Sequence, residues 1–290
     1  MNLTANGLPR TLLVLGRVSN LPTVWTNCLA GWWLSGGGNY WKLPFLLLGA
    51  SALYLGGMYL NDAFDEEFDR QRRPERPIPS GKIAPRLVWG IGLALLALGV
   101  LLCFPCGWVA GLASFILAGF ILVYDFSHKF LTASPWLIGL CRFWVYIVAG
   151  ATGINGLTGY PIFCGVALAL YVAGLSYVAK RETFRGSIPH WPLLSLAAPI
   201  VLAMVMNIGE YRVKAIEISL VLALWVIRSI WTLFATAEIM AGRIVANLLA
   251  GICFVDWLAV APDSPKLLFG FIFLAMLGLT KWMQKFVPAT

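Results

Sequence analysis

Charged residues are scarce in this 290-residue sequence, at 12% of the chain against about 25% in a typical soluble domain. Histidine occurs only twice. Hydrophobic residues make up 60% of the chain, and the mean hydropathy is +0.81. This composition excludes a water-soluble fold and indicates a protein embedded in a membrane.

The chain also has no polar half, no low-complexity linker and no repeat of fixed period, so we expect a single membrane domain over residues 1–290. A transmembrane helix needs about 20 mostly apolar residues, and about ten apolar runs satisfy that length. We therefore predict an all-α, polytopic transmembrane bundle of nine to ten helices, with a central cavity that opens to the cytoplasmic side. The runs lie near 12–34, 42–61, 86–104, 107–124, 135–153, 161–180, 192–208, 214–234, 243–261 and 266–284.

Metal-type cysteine spacing is absent except between Cys103 and Cys106. The six cysteines fall in apolar runs, where small buried hydrophobic residues need no further role. They are Cys28, Cys103, Cys106, Cys141, Cys164 and Cys253.

Basic residues give the chain a net charge of +8, but their placement argues against a nucleic-acid partner. Most of them fall in alternate loops, those after the second, fourth and sixth runs, and cytoplasmic loops of membrane proteins carry such an excess. We therefore expect these loops and the N-terminus to face the cytoplasm of a prokaryotic cell. The basic residues assigned to that side are Arg10, Arg70, Arg72, Arg73, Arg76, Lys82, Arg86, Lys129, Lys180, Arg181, Arg185, Arg243, Lys281 and Lys285, against Lys42, Arg212, Lys214 and Lys266 on the other side.

The most informative stretch is 61–82, which begins where the second apolar run ends. If the helix continues through Asp69, the carboxylates of Asp62, Asp65 and Asp69 lie at i, i+3 and i+7 and share one face, with Asn61 at its edge. Three like charges on one face repel each other, and a hard divalent cation between them removes that repulsion. Mg²⁺ uses one or two carboxylates together with phosphate oxygens of the substrate.

Arginines follow these acids at once, in a loop stiffened by prolines, which we predict to be a cytoplasmic capping loop over residues 62–85. Planar guanidinium groups suit phosphate oxygens. For the basic residues taken alone, membrane topology explains the pattern equally well, but it does not explain acids interleaved with Phe64 and Phe68 at a helix end. The loop contains Arg70, Arg72, Arg73, Pro74, Arg76, Pro77 and Pro79.

The string Asn-Asp-x-x-Asp-x-x-x-Asp, followed by Arg-Pro-Glu-Arg-Pro-Ile-Pro-Ser-Gly, resembles the first aspartate-rich motif of the UbiA superfamily of intramembrane prenyltransferases. The segment from Arg17 to Trp33 and the stretch from Tyr124 to Lys129 are similar to other parts of that family. The resemblance implies Mg²⁺-dependent transfer of a prenyl group from a prenyl diphosphate to a lipid-soluble or aromatic acceptor. It extends over at least residues 10–190.

The resemblance also implies a role for each matched residue. Asn61, Asp62, Asp65 and Asp69 would hold Mg²⁺, and the three aspartates would be catalytic. Basic groups would bind the diphosphate, and aromatic faces would steady the allylic cation. The implied diphosphate-binding residues are Arg17, Arg73, Arg76, Lys129 and Arg185, and the implied substrate pocket contains Asn61, Tyr124, Arg142, Tyr177 and Glu182.

After its sixth helix the family carries a second aspartate-rich motif, from which this chain departs. One acid remains there, Glu182, among the cations Lys180, Arg181 and Arg185. This departure puts two-metal binding in doubt, and we expect Lys180 and Arg181 to act as catalytic cations that contact the diphosphate in place of a metal.

Two arginines lie inside apolar runs. A charged Arg142 side chain exposed to lipid would be energetically costly, so we expect it to face the bundle interior. Arg17 could face the interior as well, but a side chain that extends to the membrane interface explains its position almost equally well. The string Gly139-Leu140-Cys141-Arg142, with the altered second motif, resembles the divergent EboC-like branch of the superfamily.

Two other functions remain open at this point. The altered second motif favours a non-catalytic or transport-associated membrane protein that binds an isoprenoid or lipid precursor. A CDP-alcohol phosphotransferase would also use intramembrane aspartates, but its Asp-Gly-x-x-Ala-Arg string is absent. Prenyl length, acceptor identity and oligomeric state leave no readable pattern in the sequence.

Overall fold

The structure is a computed structural model that describes residues 7–180, 191–231, 241–261 and 265–289. Regular secondary structure in this part of the chain is helical throughout, which confirms the all-α prediction. The α-helices, in chain order, are α1 Gly7–Leu15, α2 Leu21–Leu34, α3 Leu43–Phe64, α4 Glu66–Arg72, α5 Pro85–Cys103, α6 Trp108–Ser127, α7 Ser134–Thr152, α8 Gly159–Lys180, α9 Ala198–Met206, α10 Glu210–Ile230, α11 Ala241–Ala250, α12 Ile252–Val260 and α13 Lys266–Met283.

Proline marks the start of several helices. It occupies the first or second position of α2, α3, α5, α7 and α9, where its missing N–H costs no hydrogen bond and its fixed φ suits the helix. The prolines therefore mark where these helices start, which the apolar runs alone do not show.

Six of the described helical segments are long and apolar enough to cross a membrane. Large apolar side chains such as Leu101, Trp108 and Phe271 are exposed on the outside of the bundle, as expected for a lipid-facing surface. Two further apolar helices are shorter, Leu193–Met206 and Leu268–Met283, so the count of nine to ten spans stays a prediction. The spanning segments are Tyr40–Phe64, Pro85–Cys106, Trp108–Ser127, Ser134–Thr152, Gly159–Lys180 and Gly242–Val260.

The first predicted run, 12–34, is not one helix. The chain breaks between α1 and α2 at Arg17, whose φ of 42° and ψ of 47° lie in the left-handed region that a non-glycine residue rarely adopts. The hydroxyl of Tyr54 on α3 donates to the carbonyl oxygen of Arg17 at 3.3 Å and helps to hold this turn. The single-helix prediction was wrong, and the local signal that it missed is Pro22 at the start of α2.

Helix α2 lies at the centre of the bundle, where it contacts α3, α7, α8, α12 and α13. This position explains why a helix made of apolar residues also carries buried polar ones, Thr23, Thr26 and Asn27. The hydroxyls of Thr23 and Thr26 donate to the backbone oxygens of Asn20 and Thr23, and the amide of Asn27 donates to Asp256 on α12.

The loops after α3–α4, α6 and α8 meet at one end of the bundle, as the basic-residue pattern predicted. The ammonium of Lys129, after α6, donates to the carbonyl of Phe64 at the end of α3. The ammonium of Lys180, at the end of α8, donates to the carbonyl of Leu131 in the loop after α6. At this end the capping loop is anchored by Ile78 and Ile83, which are buried against α1, α3 and α5.

Candidate functional site

The acidic row at the end of α3 is buried on one face, as the i, i+3, i+7 spacing predicted. Asp62, Asp65 and Asp69 are 7%, 8% and 2% exposed, whereas Glu67 is exposed. The helix is interrupted at Asp65, but hydrogen bonds from Asp65 N to Asn61 O and from Asp69 N to Asp65 O carry the helical register across the interruption. We call Asp62, Asp65 and Asp69 the acidic row.

Arginines from two different segments pair with the acidic row. The guanidinium of Arg76, in the capping loop, lies 2.8 Å from Asp69 and 3.3 Å from Asp62. The guanidinium of Arg17, in the turn between α1 and α2, lies 3.3 Å from the same oxygen of Asp62. Burial raises the pKa of the Asp69 carboxyl above its ordinary value of 3.8, and the charge of Arg76 offsets this only in part.

The third carboxylate, Asp65, is paired with the segment that follows α6. Its Oδ1 lies 2.8 Å from Lys129 Nζ and 3.2 Å from His128 Nε2. Burial raises the pKa of this carboxyl, but hydrogen bonds and positive charge from His128 and Lys129 outweigh burial and lower it below 3.8.

His128 is also part of the site, although the sequence did not predict it. Its Nδ1 lies 3.2 Å and 3.1 Å from the backbone oxygens of Tyr124 and Asp125, while its Nε2 faces Asp65. Both ring nitrogens therefore face oxygen atoms of the site. The only local signal was its position beside Lys129 at the end of a helix.

The site's chemistry fits Mg²⁺ only in combination with a phosphorylated substrate. Among the described residues, no three His, Cys, Asp or Glu side chains converge closely enough to hold a metal ion by themselves. The acidic row nevertheless offers buried, hard oxygen donors, and Mg²⁺ is bound through one or two carboxylates plus substrate phosphate oxygens. The donor set therefore fits that binding mode.

An internal cavity of about 220 Å³ lies beside the acidic row, between α2, α3, α6, α7, α8 and α11. Most of its wall is apolar, with residues such as Leu53, Ile121 and Leu175. Arg17 lies on this wall and also reaches Asp62, so it connects the cavity to the acidic row. The polar residues on the wall are Arg17, Asn20, Tyr54, Asn61, Tyr124, Asp125, Arg142 and Ser176.

Four of the sequence-predicted pocket and diphosphate residues therefore line this cavity, namely Asn61, Tyr124, Arg142 and Arg17. The amide of Asn61 donates to Oδ1 of the buried Asp125, which the sequence did not predict as a site residue.

Three other predicted residues lie away from the cavity wall. Arg73 is exposed at the end of α4, and Lys180 donates to the loop after α6. Tyr177 packs edge-on against Trp136, with ring centroids 6.4 Å apart, and not on the cavity wall that α8 contributes. The remaining predicted residues, Arg181, Glu182 and Arg185, lie outside the described residues.

A buried polar network behind the cavity was not predicted. The guanidinium of Arg142 donates to Asn27 Oδ1 at 2.8 Å, the amide of Asn27 donates to Asp256 at 2.7 Å, and the hydroxyl of Tyr146 donates to Asp256 at 2.6 Å. These residues come from α7, α2 and α12, so no local pattern joins them. The only signal in the sequence was the presence of ionisable residues inside apolar runs.

Comparison with known proteins gives three informative relatives. The digeranylgeranylglyceryl phosphate synthase of Ignicoccus hospitalis is 37% identical over 125 residues, which are 43% of this chain and 40% of the relative. That of Methanopyrus kandleri is 28% identical over 202 residues, 55% of this chain and 74% of the relative. The 4-hydroxybenzoate octaprenyltransferase of Aeromonas salmonicida is 26% identical over 166 residues, 56% of this chain and 54% of the relative. The chain thus spans about two fifths of the length of the first of these.

Solved structures show the same fold. A digeranylgeranylglyceryl phosphate synthase structure superposes with a TM-score of 0.64 at 20% identity, covering 89% of this chain and 99% of the other. The apo structure of a UbiA homologue from Aeropyrum pernix gives a TM-score of 0.65 at 18% identity, with 83% and 96% coverage.

Comparison with protein-family models tests the family membership that the aspartate-rich motif suggested. The model described as the UbiA prenyltransferase family matches residues 21–277. The EboC-like branch is not distinguished by this match and stays a prediction. Because the match extends over most of the sequence, the chain belongs to the UbiA prenyltransferase family.

Proposed function

We propose that this protein transfers a prenyl group from a prenyl diphosphate to a lipid-soluble or aromatic acceptor within the membrane, with Mg²⁺. One observation carries the proposal. Three buried carboxylates on one face of α3–α4 are each paired with a cation from another segment, next to an apolar cavity. Such a site combines metal ligands, phosphate-binding groups and room for an isoprenoid chain.

In this proposal the acidic row and Asn61 hold the metal, and Arg17, Arg76 and Lys129 exchange their carboxylate partners for phosphate oxygens. When bound, Mg²⁺ would act as a Lewis acid that stabilises the negative charge on the departing phosphate oxygen. The allylic C–O bond breaks, and its electron pair leaves with pyrophosphate. The three cations stabilise the charge that develops there.

The rest of the cavity receives the carbon chain. Apolar residues on α3, α6 and α8 exclude water from the allylic cation, and the ring of Tyr124 lies on the same wall. The acceptor supplies the electron pair for the new bond and releases a proton. The names of the relatives contain 4-hydroxybenzoate and glyceryl phosphate, so an aromatic acid and a glyceryl phosphate lipid are the first acceptors to test.

The sequence also left open a non-catalytic, transport-associated role. The relatives named above are a synthase and a transferase, which does not favour that role. We place the protein in the cytoplasmic membrane of a prokaryote, with the acidic row at the cytoplasmic end, because the basic loops meet there.

The test is pyrophosphate release by purified protein given a prenyl diphosphate, Mg²⁺ and an acceptor. Asp65→Asn removes a charge from the acidic row and should lower the rate by about 100-fold or more. Glu67→Gln is the matched control, since Glu67 is exposed two residues away, and it should leave the rate within about twofold of wild type. An Asp65→Asn variant as active as this control would remove the site assignment.

A further inference from the structure

Arg142 occupies an unusual position on the cavity wall. It lies eight residues after the start of α7, which places its Cα about 12 Å along the helix from the end where the acidic row lies. A charged side chain at such depth in a membrane protein is costly and is kept where it meets a partner or a ligand.

The contacts of Arg142 on its protein side are neutral. One terminal nitrogen donates to Asn27 Oδ1 at 2.8 Å and the other to Thr23 Oγ1 at 3.2 Å. Its counter-charge, Asp256, is one residue further away, bound to the amide of Asn27 at 2.7 Å and to the hydroxyl of Tyr146 at 2.6 Å. This network fixes the guanidinium from behind, and the guanidinium also lies 5.8 Å from the ring centroid of Tyr54 on α3.

Arg142 also lines the cavity, beside Tyr54. A guanidinium has five N–H donors, and the contacts with Asn27 and Thr23 use two of them. The other arginine on the wall, Arg17, is by contrast paired with a carboxylate at 3.3 Å. The wall around Arg142 is mostly apolar, which strengthens any charge-assisted hydrogen bond formed there.

We infer that Arg142 binds an oxyanion group of the acceptor, a carboxylate or a phosphate, and that Asn27, Thr23, Asp256 and Tyr146 are positioning residues for it. The inference rests on the proposed prenyl transfer, and it adds the chemical class of the acceptor. The prenyl diphosphate does not need Arg142, since its own cations lie around the acidic row. If Arg142 binds the anionic group of the acceptor, the rest of the acceptor lies between Arg142 and the acidic row. The allylic cation forms in that space.

The test compares each anionic probe with its neutral analogue. Dissociation constants are measured for the full chain in nanodiscs with 4-hydroxybenzoate and 4-hydroxybenzamide, and with a glyceryl phosphate ether lipid and the same lipid without phosphate. We expect the wild type to bind one anionic probe about 10- to 100-fold more tightly than its neutral analogue. The pair that shows this preference identifies carboxylate or phosphate as the source of the oxyanion.

Variants then test whether Arg142 causes the preference for the anionic probe over its neutral analogue. Arg142→Gln should reduce it to less than about threefold while the KM for the prenyl diphosphate stays unchanged, and Arg142→Lys should retain part of it. Asp256→Asn should weaken binding of the anionic probe in the same direction. The control is Arg228→Gln, because Arg228 is an arginine of α10 that lies off the cavity wall, and this variant should behave as wild type.

Equal binding of both members in each pair, no binding of any probe, or an unchanged preference in a folded Arg142→Gln variant would overturn the inference. The proposed function fails separately, by absence of pyrophosphate release. A preference that depends on Arg142 but comes without turnover would keep the binding site and reject the reaction.

Discussion

The ionisation of Asp65 is controlled by His128 and Lys129, which belong to one neighbouring segment, and this determines how pH acts on it. Because His128 and Lys129 lower its pKa below the ordinary value of 3.8, the ionised carboxylate stabilises the folded protein above that value. This contribution is lost as pH falls through the lowered pKa. Asp69 acts in the opposite direction, since burial raises its pKa and its contribution is lost as pH rises through the raised value.

We therefore expect the thermal unfolding temperature of the purified protein to depend on both residues between about pH 5 and pH 3. Asp65→Asn should flatten the fall in unfolding temperature on acidification, whereas Asp69→Asn should steepen it. The measurement is a pH series of thermal unfolding for the three proteins in one detergent. Parallel curves for wild type and Asp65→Asn would contradict the account of Asp65.

At the scale of elements, the acidic row is positioned by close packing of α3 against α5. Gly49 on α3 faces Gly99 on α5, and Gly56 on α3 faces Gly92 on α5. Within each helix the two glycines are seven residues apart. A Cβ at Gly99 would lie 2.8 Å from the backbone nitrogen of Leu53 and 2.9 Å from the carbonyl oxygen of Gly49. Since both obstacles are backbone atoms, the helices would have to separate.

Gly99→Ala should therefore destabilise the bundle by about 1–3 kcal/mol and lower pyrophosphate release, because α3 carries the acidic row. Gly90→Ala, in the same helix, is the matched control, since no atom lies within 4 Å of its Cβ position. This control should be neutral or slightly stabilising, because alanine favours a helix over glycine by about 1 kcal/mol. Equal unfolding temperatures for the two variants would show that the glycine contact is not tight in solution.

The helix periodicity allowed the acidic row to be predicted, because Asp62, Asp65 and Asp69 belong to one element and their spacing alone decides their common face. The break at Arg17 was missed although Pro22, at the start of α2, is a local signal for a helix start. The left-handed conformation of Arg17 has no such signal, and its carbonyl oxygen accepts a hydrogen bond from Tyr54 on α3. The local sequence therefore predicts where a helix starts better than which distant residue contacts it.

At the scale of the whole molecule, the same limit applies to the network behind the cavity. Asn27 and Asp256 are separated by most of the chain, yet their side chains meet at 2.7 Å between α2 and α12. Asp256 also accepts a hydrogen bond from Tyr146 on α7, so three helices meet at this carboxylate. Only the folded bundle decides which polar residues of separate helices become partners.

The whole molecule also has an orientation, which the basic loops predict and which chemical labelling can test. The six native cysteines are buried, so a membrane-impermeant maleimide should report mainly on an added cysteine. Ser80→Cys places one in the exposed capping loop, and Tyr40→Cys places one at the opposite end of α3. Because basic loops are retained in the cytoplasm, Ser80→Cys should react in inside-out vesicles and Tyr40→Cys in right-side-out vesicles.

Labelling of both variants after detergent solubilisation provides the control for reactivity. The reverse pattern would place the acidic row outside the cell, and the orientation inferred from the basic loops would be wrong even with the bundle unchanged. Vesicle sidedness therefore tests the proposed cytoplasmic position of the acidic row independently of any measurement of turnover.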